Sequence, residues 1–266
     1  MEATLAAGTF LGYFMAAVAF VAALYNGRWK HWAFYSFVLG WVSQTIWLAR
    51  EALVLNVWPT STPYAWVAGF TWLAVTAFAV YQRVRPEWPL GGFLMPVAVV
   101  VWLGGQALPR NRELAPGGNV PAASLELLML ACVAFLLAAV FSIMYSEKER
   151  ELKRKRVRLF YYQLPPLDVM DVVSARLAMA GLILLTLSLG LAAWWGEMTS
   201  GQVWTWVVHD VGIDLVWVAY AVYGALRIWG WQGHRAAVYT MTAFLLVLAN
   251  IFAMGLMIHG FSLYNG

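Results

Sequence analysis

One short segment, Trp-Thr-Trp-Val-Val-His-Asp, brings together two indole rings, an imidazole and a carboxylate, at Trp204, Trp206, His209 and Asp210. It lies between two long apolar runs, where a membrane boundary is expected. Tryptophan favours such a boundary because its ring is buried while its N–H stays hydrated. A neutral imidazole at that position can ligate a metal ion or a haem iron. The segment is therefore either a binding site or an aromatic anchor.

The composition is that of an integral membrane protein. Of the 266 residues, 62% are hydrophobic and 11% are charged, whereas soluble domains are about 45–50% apolar and about 25% charged. The basic residues are therefore read as determinants of topology and not as a nucleic-acid surface. The single cysteine, Cys132, excludes an intramolecular disulfide and a multi-cysteine metal site. We interpret it as a small buried residue.

Eight stretches are long and apolar enough to cross a bilayer as helices, which needs about 20 residues each. The sequence therefore predicts an all-α polytopic bundle that forms a single transmembrane domain over residues 1–266. The predicted spans are Leu5–Tyr25, Trp32–Trp58, Ala65–Tyr81, Pro89–Leu108, Leu125–Tyr145, Val173–Trp195, Val207–Leu226 and Ala236–His259.

The basic residues predict the orientation. All but three of the 17 Lys and Arg residues fall on one side of the bundle, the exceptions being Arg50, Arg110 and Arg112. The positive-inside rule makes that side cytoplasmic, so both termini are expected outside the cell membrane. The charged loop of about residues 146–172 is then cytoplasmic, and its first half is expected to extend the fifth helix until Pro165 and Pro166 break the chain. The Trp-x-Trp loop of about residues 196–210 is expected outside.

Ionisable residues within the spans concentrate in their outer halves, although such groups are costly in lipid and normally face a bundle interior. We expect them to surround a polar cavity that opens outward. Arg50 is interpreted either as the partner of Asp210 or Asp214 or as the ligand of an anionic group. Asp171 and Arg176, at the other side, are interpreted as a helix cap and a snorkelling side chain. The outer residues are Arg50, Glu51, Glu126, His209, Asp210, Asp214 and His259.

Two of the four histidines are candidate ligands. His209 and His259 lie at the outer ends of consecutive spans and are expected at one depth, where they would ligate a single iron. The alternative is interfacial hydrogen bonding. His31 and His234 lie beside Lys or Arg at cytoplasmic helix ends and are interpreted as anchors. The sequence shows no bond-making nucleophile with a paired base, so an enzyme is not predicted.

The second half of the chain resembles the CcsA/HemX superfamily of cytochrome c assembly membrane proteins. A basic run leads into L-P-P-L-D-V-M-D-V-V-S-A-R (Leu164–Arg176), W-T-W stands at the place of the family's tryptophan-rich haem-handling loop, and G-W-Q-G-H-R (Gly230–Arg235) continues the similarity. The earlier segment G-W-V-S-Q-T-I-W-L-A-R-E-A-L resembles the family's second helix.

The resemblance implies haem as cofactor, presented outside the membrane to an apocytochrome, with Trp204 and Trp206 stacking on the porphyrin. The chain also departs from the family. The aspartate that follows W-x-W in the family is Val207 here, and positions that carry family histidines are Ser124, Ser262 and Gln44. His209 and His259 are proposed as axial ligands from their positions alone, and Arg50 as the partner of a propionate.

The leading hypothesis is therefore a haem-binding protein of the cytochrome c assembly type in the plasma membrane. The missing family histidines favour an alternative, a degenerate structural or regulatory subunit of a larger membrane complex, which would contact other membrane subunits. A transporter that uses the outer cavity is a third hypothesis, but no inverted repeat or pair of broken helices supports it.

Overall fold

The computed structural model describes residues 2–54, 62–84, 89–108, 121–154, 164–201 and 208–264. For residues 2, 3, 54, 84, 200, 208–210 and 254–264 it describes only the backbone. The described chain is helical, with no strand in these ranges, which confirms the predicted fold class. Eight long helices follow in order: α1 Glu2–Tyr25, α2 Lys30–Val54, α3 Pro63–Val84, α4 Pro89–Gln106, α5 Ala122–Lys153, α6 Leu167–Ser200, α7 Val208–Ile228 and α8 His234–Tyr264.

Each predicted span corresponds to one of these helices. Seven of them, all except α2, are long and apolar enough to cross a membrane. Helix α2 is less apolar because it carries Lys30, Gln44, Arg50 and Glu51, but its 25 residues extend over roughly 37 Å, which exceeds the roughly 30 Å hydrocarbon core. The chain is therefore a multi-pass membrane protein.

Proline and glycine set several helix ends. Pro166 precedes α6 in an extended conformation, with φ −54° and ψ 145°, so the two prolines break the chain as expected before α6 starts. Helix α5 continues to Lys153 as the predicted charged extension. Gly201 ends α6 with a left-handed φ of 66°, and its N–H donates to the Glu197 carbonyl at 3.1 Å, as in a C-terminal glycine cap.

The helices pack as two groups of four. In the first group α1 packs against α2 and α4, and α3 packs against α2 and α4. In the second group α5 packs against α6 and α8, and α7 packs against α6 and α8. Helix α5 is the most buried helix and also contacts α3 and α4, whereas α6 and α7 expose most of their side chains. The second group is thus built around α5, which also joins it to the first.

Small residues bring helix backbones together in the first group. A Cβ atom on Gly12 would lie 2.5 Å from the Cα atom of Gly40, so α1 and α2 touch directly at this point. Close backbone approach at small residues is a common way of packing helices in membranes, where the hydrophobic effect between helices is absent. The α1–α2 pair therefore depends on the lack of side chains at Gly12 and Gly40.

Candidate functional site at the outer ends of the helices

The helix ends opposite the cationic residues, here called the outer ends, surround a cavity of about 50 Å³ between the two helix groups. It extends from the outer part of the bundle down to the level of Phe135 in α5. Residues of α3, α5, α6, α7 and α8 line it, together with Leu108 just after α4. The lining residues are Pro63, Trp66, Val67, Leu108, Leu125, Leu128, Cys132, Phe135, Leu185, Ile213, Val216, Val247, Asn250 and Ile251.

This cavity lies in the predicted half of the bundle, but its walls are not the polar ones that the sequence suggested. Its lining is mainly aliphatic and aromatic, and the polar side chains in it are those of Trp66, Cys132 and Asn250. The Trp66 indole N–H donates to the Leu125 carbonyl at 3.4 Å, and the Cys132 thiol is buried, as expected. Of the outer ionisable residues whose side chains the structure describes, namely Arg50, Glu51, Glu126 and Asp214, none lines this cavity.

The size of the cavity limits what it can hold. A void of about 50 Å³ has room for water molecules, whereas sites for cofactors and drug-sized ligands typically measure about 300–1,000 Å³. A porphyrin does not fit between the helix groups as they are packed. A haem site in this protein would therefore lie at the outer surface of the bundle.

Arg50 lies near the outer end of α2 beside Glu51. Its Nη1 is 3.6 Å from Glu51 Oε1, and the two side chains are 28% and 11% exposed. Helix α2 packs against α1 and α3, whereas Asp214 belongs to α7, which packs against α6 and α8. Among the described side chains the carboxylate beside Arg50 is thus that of Glu51, whereas Asp214, one of the alternative partners, lies on a helix of the other group.

The backbones of His209 and His259 are helical, in α7 and α8, and these two helices are packed neighbours as expected. The two helices are antiparallel, and the Asn250 side chain lies against Gly212, where an added Cβ atom would clash with it. His209 lies three residues outward from Gly212 and His259 nine residues outward from Asn250, a difference of six residues or about 9 Å along the axes. The common depth expected for the two imidazoles concerns side chains outside the described ones and stays a prediction.

The side chains of His209, Asp210 and His259, and all of Trp204 and Trp206, lie outside the described residues. Their roles as ligands and stacking partners therefore remain predictions. Within the described ranges, no group of three or more His, Cys, Asp and Glu side chains is arranged to hold a metal ion.

Gln44, at a position where the related family carries a histidine, is fully buried between α1, α2 and α3. The Tyr13 hydroxyl donates to its Oε1, and its Nε2 donates to the Ala68 carbonyl at 3.0 Å. A buried amide that is hydrogen-bonded on both sides fixes the register of its helices. Gln44 is therefore a structural link between three helices and leaves no open ligand position there.

A second polar cluster, at the cationic end, was not identified as a unit from the sequence. Lys148 is 7% exposed, and its Nζ donates to the carbonyls of Leu164 and Pro165 at 2.8 and 2.6 Å. Asp171 accepts from Arg227 Nη1 and Nη2 at 3.0 and 2.9 Å. These bonds fasten the start of α6 to the end of α5 and to α7.

The same cluster includes the tight turn between α7 and α8. The Gly233 N–H donates to Asp171 Oδ1 at 3.1 Å, and Gly230 and Gly233 have left-handed φ angles of 88° and 70°. Asp171 is thus an ion-pair partner and a turn ligand, not merely the cap expected for it. The signal in the sequence was the pair of motifs L-P-P-L-D-V-M-D and G-W-Q-G-H-R, which meet here.

The fold and the site geometry together define a polytopic helical protein of the plasma membrane. Hydrogen bonds and an ion pair organise its cationic end, and its outer end encloses a small apolar cavity. The family described as "Cytochrome C assembly protein" matches residues 124–262, which are more than half of the chain. The chain belongs to this family. The matched segment begins two residues after the start of α5 and ends in α8, so it coincides with the second helix group.

The chain is similar to curated relatives of two kinds. It is 26% identical over 238 residues to "Protein HemX" of Brevibacillus brevis, covering 85% of each chain. It is 36% identical over 99 residues to "Cytochrome c biogenesis protein CcsA" of Prochlorococcus marinus (strain MIT 9215), covering 35% of this chain and 32% of that protein. The CcsA protein of Synechococcus elongatus is 30% identical over 177 residues, 66% of this chain and 53% of that protein.

The match to these relatives differs in extent. The chain spans most of the HemX relative but only about a third to a half of the CcsA relatives. No solved structure matches the chain.

Proposed function

We propose that this protein binds haem at the extracytoplasmic face of the plasma membrane, as an accessory protein of cytochrome c assembly. The observation that carries the proposal is the family match over residues 124–262. That range includes Trp204, Trp206, His209 and His259, the residues to which we assign haem contacts. The apocytochrome is the corresponding proposed partner.

The position of the candidate residues supports the proposal. The backbones of His209 and His259 lie at the outer ends of α7 and α8, opposite the cluster of Lys148, Asp171 and Arg227, and Trp204 and Trp206 precede α7 in the sequence. By the positive-inside rule the cationic end is cytoplasmic, so the outer ends face the compartment in which cytochromes c are assembled. Two tryptophan rings offer stacking surfaces, and two imidazoles offer axial nitrogens.

The levels of the two histidines constrain how a haem would be held. If both imidazoles bind one haem iron, their side chains would have to bridge an offset of about 9 Å between the two backbones. Arg50, 28% exposed at the outer end of α2, is available to a propionate although Glu51 lies beside it. Bound haem would supply an iron centre to be handed on, and the chain's own residues would bind and orient it. We assign no bond-making step to this chain.

An absorption spectrum of the purified protein, before and after haemin titration, tests the proposal. We expect a Soret band that is lost in the double variant His209→Ala, His259→Ala. The matched control is His31→Ala, which removes an imidazole at the cationic end and should leave the band intact. A protein that stays colourless after haemin titration, while remaining monodisperse, contradicts haem binding.

A second function, a structural or regulatory subunit of a larger membrane complex, is favoured by a different observation. The chain covers 85% of the HemX relative but only 32% of a CcsA relative, and Gln44 is held by hydrogen bonds where that resemblance places a histidine. Purification in a mild detergent after in-cell crosslinking tests it. Co-purification of a stoichiometric membrane partner supports the subunit, and recovery of the monomer alone contradicts it.

A further inference from the structure

A groove on the lipid-facing side of α7 and α8 lies at the cationic end of the bundle, away from the proposed haem residues. Its volume is about 520 Å³, within the range of pockets that hold small organic ligands. Its walls are charged and aromatic at the cationic end and mainly apolar toward Leu246. The lining residues are Ala219, Trp231, His234, Arg235, Val238, Tyr239, Thr242, Ala243 and Leu246.

The cationic end of the groove is suited to an anionic group. Arg235 is exposed at the first turn of α8, beside His234 and Trp231. Two neighbouring side chains have carboxylate partners: Arg227 is paired with Asp171, and His234 Nδ1 lies 2.8 Å from Glu149 Oε2. Arg235 has no such ion pair among the described residues. An unpaired guanidinium next to an interfacial tryptophan is a typical environment for a phosphate headgroup.

The rest of the groove is suited to an acyl chain. From Arg235 to Leu246 it follows α8 over eleven residues, or about 16 Å, which is close to half of the roughly 30 Å hydrocarbon core and hence to one leaflet. The polar groups in this part of the groove already have hydrogen-bond partners within the protein. The Tyr239 hydroxyl donates to the Ala219 carbonyl of α7 at 2.9 Å. Thr242 likewise donates to the Val238 carbonyl at 3.0 Å.

We propose that this groove binds one anionic phospholipid of the cytoplasmic leaflet, with the phosphate at Arg235 and one acyl chain along α8 toward Leu246. The groove is cationic at one end and mainly apolar along the rest, just as a phospholipid carries its phosphate at one end and its acyl chains along the rest. Basic pockets between transmembrane helices on the cytoplasmic side are a known mode of recognising such headgroups. The site is independent of haem binding, because it lies at the opposite end of α7 and α8.

Native mass spectrometry of the detergent-solubilised full chain, with added phosphatidylglycerol or phosphatidylcholine, tests the proposal. We expect one phosphatidylglycerol to be retained in preference to phosphatidylcholine, and Arg235→Gln to lower its apparent affinity about fivefold. Arg83→Gln removes a charge from the same end of the bundle, at α3, and should have no effect. Equal losses in the two variants would show a general attraction to positive charge and overturn the site.

A second pair of variants tests the acyl part of the groove without changing charge. Leu246→Trp fills the groove, whereas Leu245→Trp places the same ring at the neighbouring lipid-facing position, where leucine is 63% exposed. We expect only Leu246→Trp to reduce retention of phosphatidylglycerol. Unchanged retention in Leu246→Trp, with Arg235→Gln also unaffected, overturns the proposal.

Discussion

Arg227 and Asp171 face each other through two parallel hydrogen bonds, Nη1 to Oδ1 at 3.0 Å and Nη2 to Oδ2 at 2.9 Å. Both side chains are largely buried, at 16% and 15% exposure. Since Asp171 also accepts the Gly233 N–H, one carboxylate fixes α6, α7 and the turn into α8. The cationic end of the second helix group is thus organised by side chains that carry charge, although most of its packing is apolar.

Removing one member of this pair should destabilise the protein strongly. Asp171→Asn or Arg227→Gln leaves a partly buried charge without its partner, which typically costs about 3–5 kcal/mol. The double variant should be less destabilised than the sum of the two single variants, because the two residues interact directly. Thermal unfolding in detergent, followed by circular dichroism, measures both effects. Additive losses would show that the pair contributes no coupling.

Contact between α1 and α2 should be sensitive to a single methyl group. Gly12→Ala places a Cβ atom 2.5 Å from backbone atoms of Gly40, so the helices must separate, and overpacking of this kind costs about 1–3 kcal/mol. Gly190→Ala is the matched control, because no atom lies within 4 Å of the Cβ position there. The unfolding midpoint should fall for Gly12→Ala and stay within error for Gly190→Ala.

A substitution at Asn250 should compensate for the stability lost by a substitution at Gly212. A side chain at position 212 would clash with the Asn250 amide, so we expect Gly212→Ala to destabilise the α7–α8 pair by about 1–3 kcal/mol. Asn250→Ala makes room for the new methyl group, and the double variant should recover most of the lost stability. A double variant as unstable as Gly212→Ala would show that the close approach of these two residues does not limit packing.

Orientation in the membrane can be mapped by cysteine labelling, since the single cysteine is buried and is removed as Cys132→Ala. In that background Met198→Cys, 68% exposed near the outer end of α6, should react with an impermeant maleimide in intact cells. Arg154→Cys, after the last residue of α5, should react only after the membrane is disrupted. Labelling of Arg154→Cys in intact cells would reverse the predicted topology.

Much of the architecture follows from local features of the sequence. Apolar length predicts the helices, the less apolar α2 among them, and Pro165 and Pro166 predict where α6 begins, because a proline restricts its own backbone and that of the residue before it. These signals are contained in short segments. The extension of α5 through its charged residues follows for the same reason, since helix-favouring Glu and Lys continue to Lys153.

The candidate site was less predictable because it depends on which helices meet. Arg50 and Asp214 carry opposite charges and could pair, but their helices α2 and α7 belong to different helix groups. The levels of His209 and His259 depend on where α7 and α8 touch, at Gly212 and Asn250, which no single segment specifies. Asp171 and Arg227 are likewise 56 residues apart in the chain, so only the fold identifies them as a pair.

The arrangement of the bundle as two groups of four helices has a consequence for how the chain is assembled. Residues 107–121 connect α4 to α5, and the family match begins at residue 124, so the chain can be divided there without interrupting a described helix. Two separately translated fragments, 1–114 and 115–266, should each insert and then associate through α3, α4 and α5. We therefore expect the chain to act as two half-bundles joined by one connection, with the outer cavity between them.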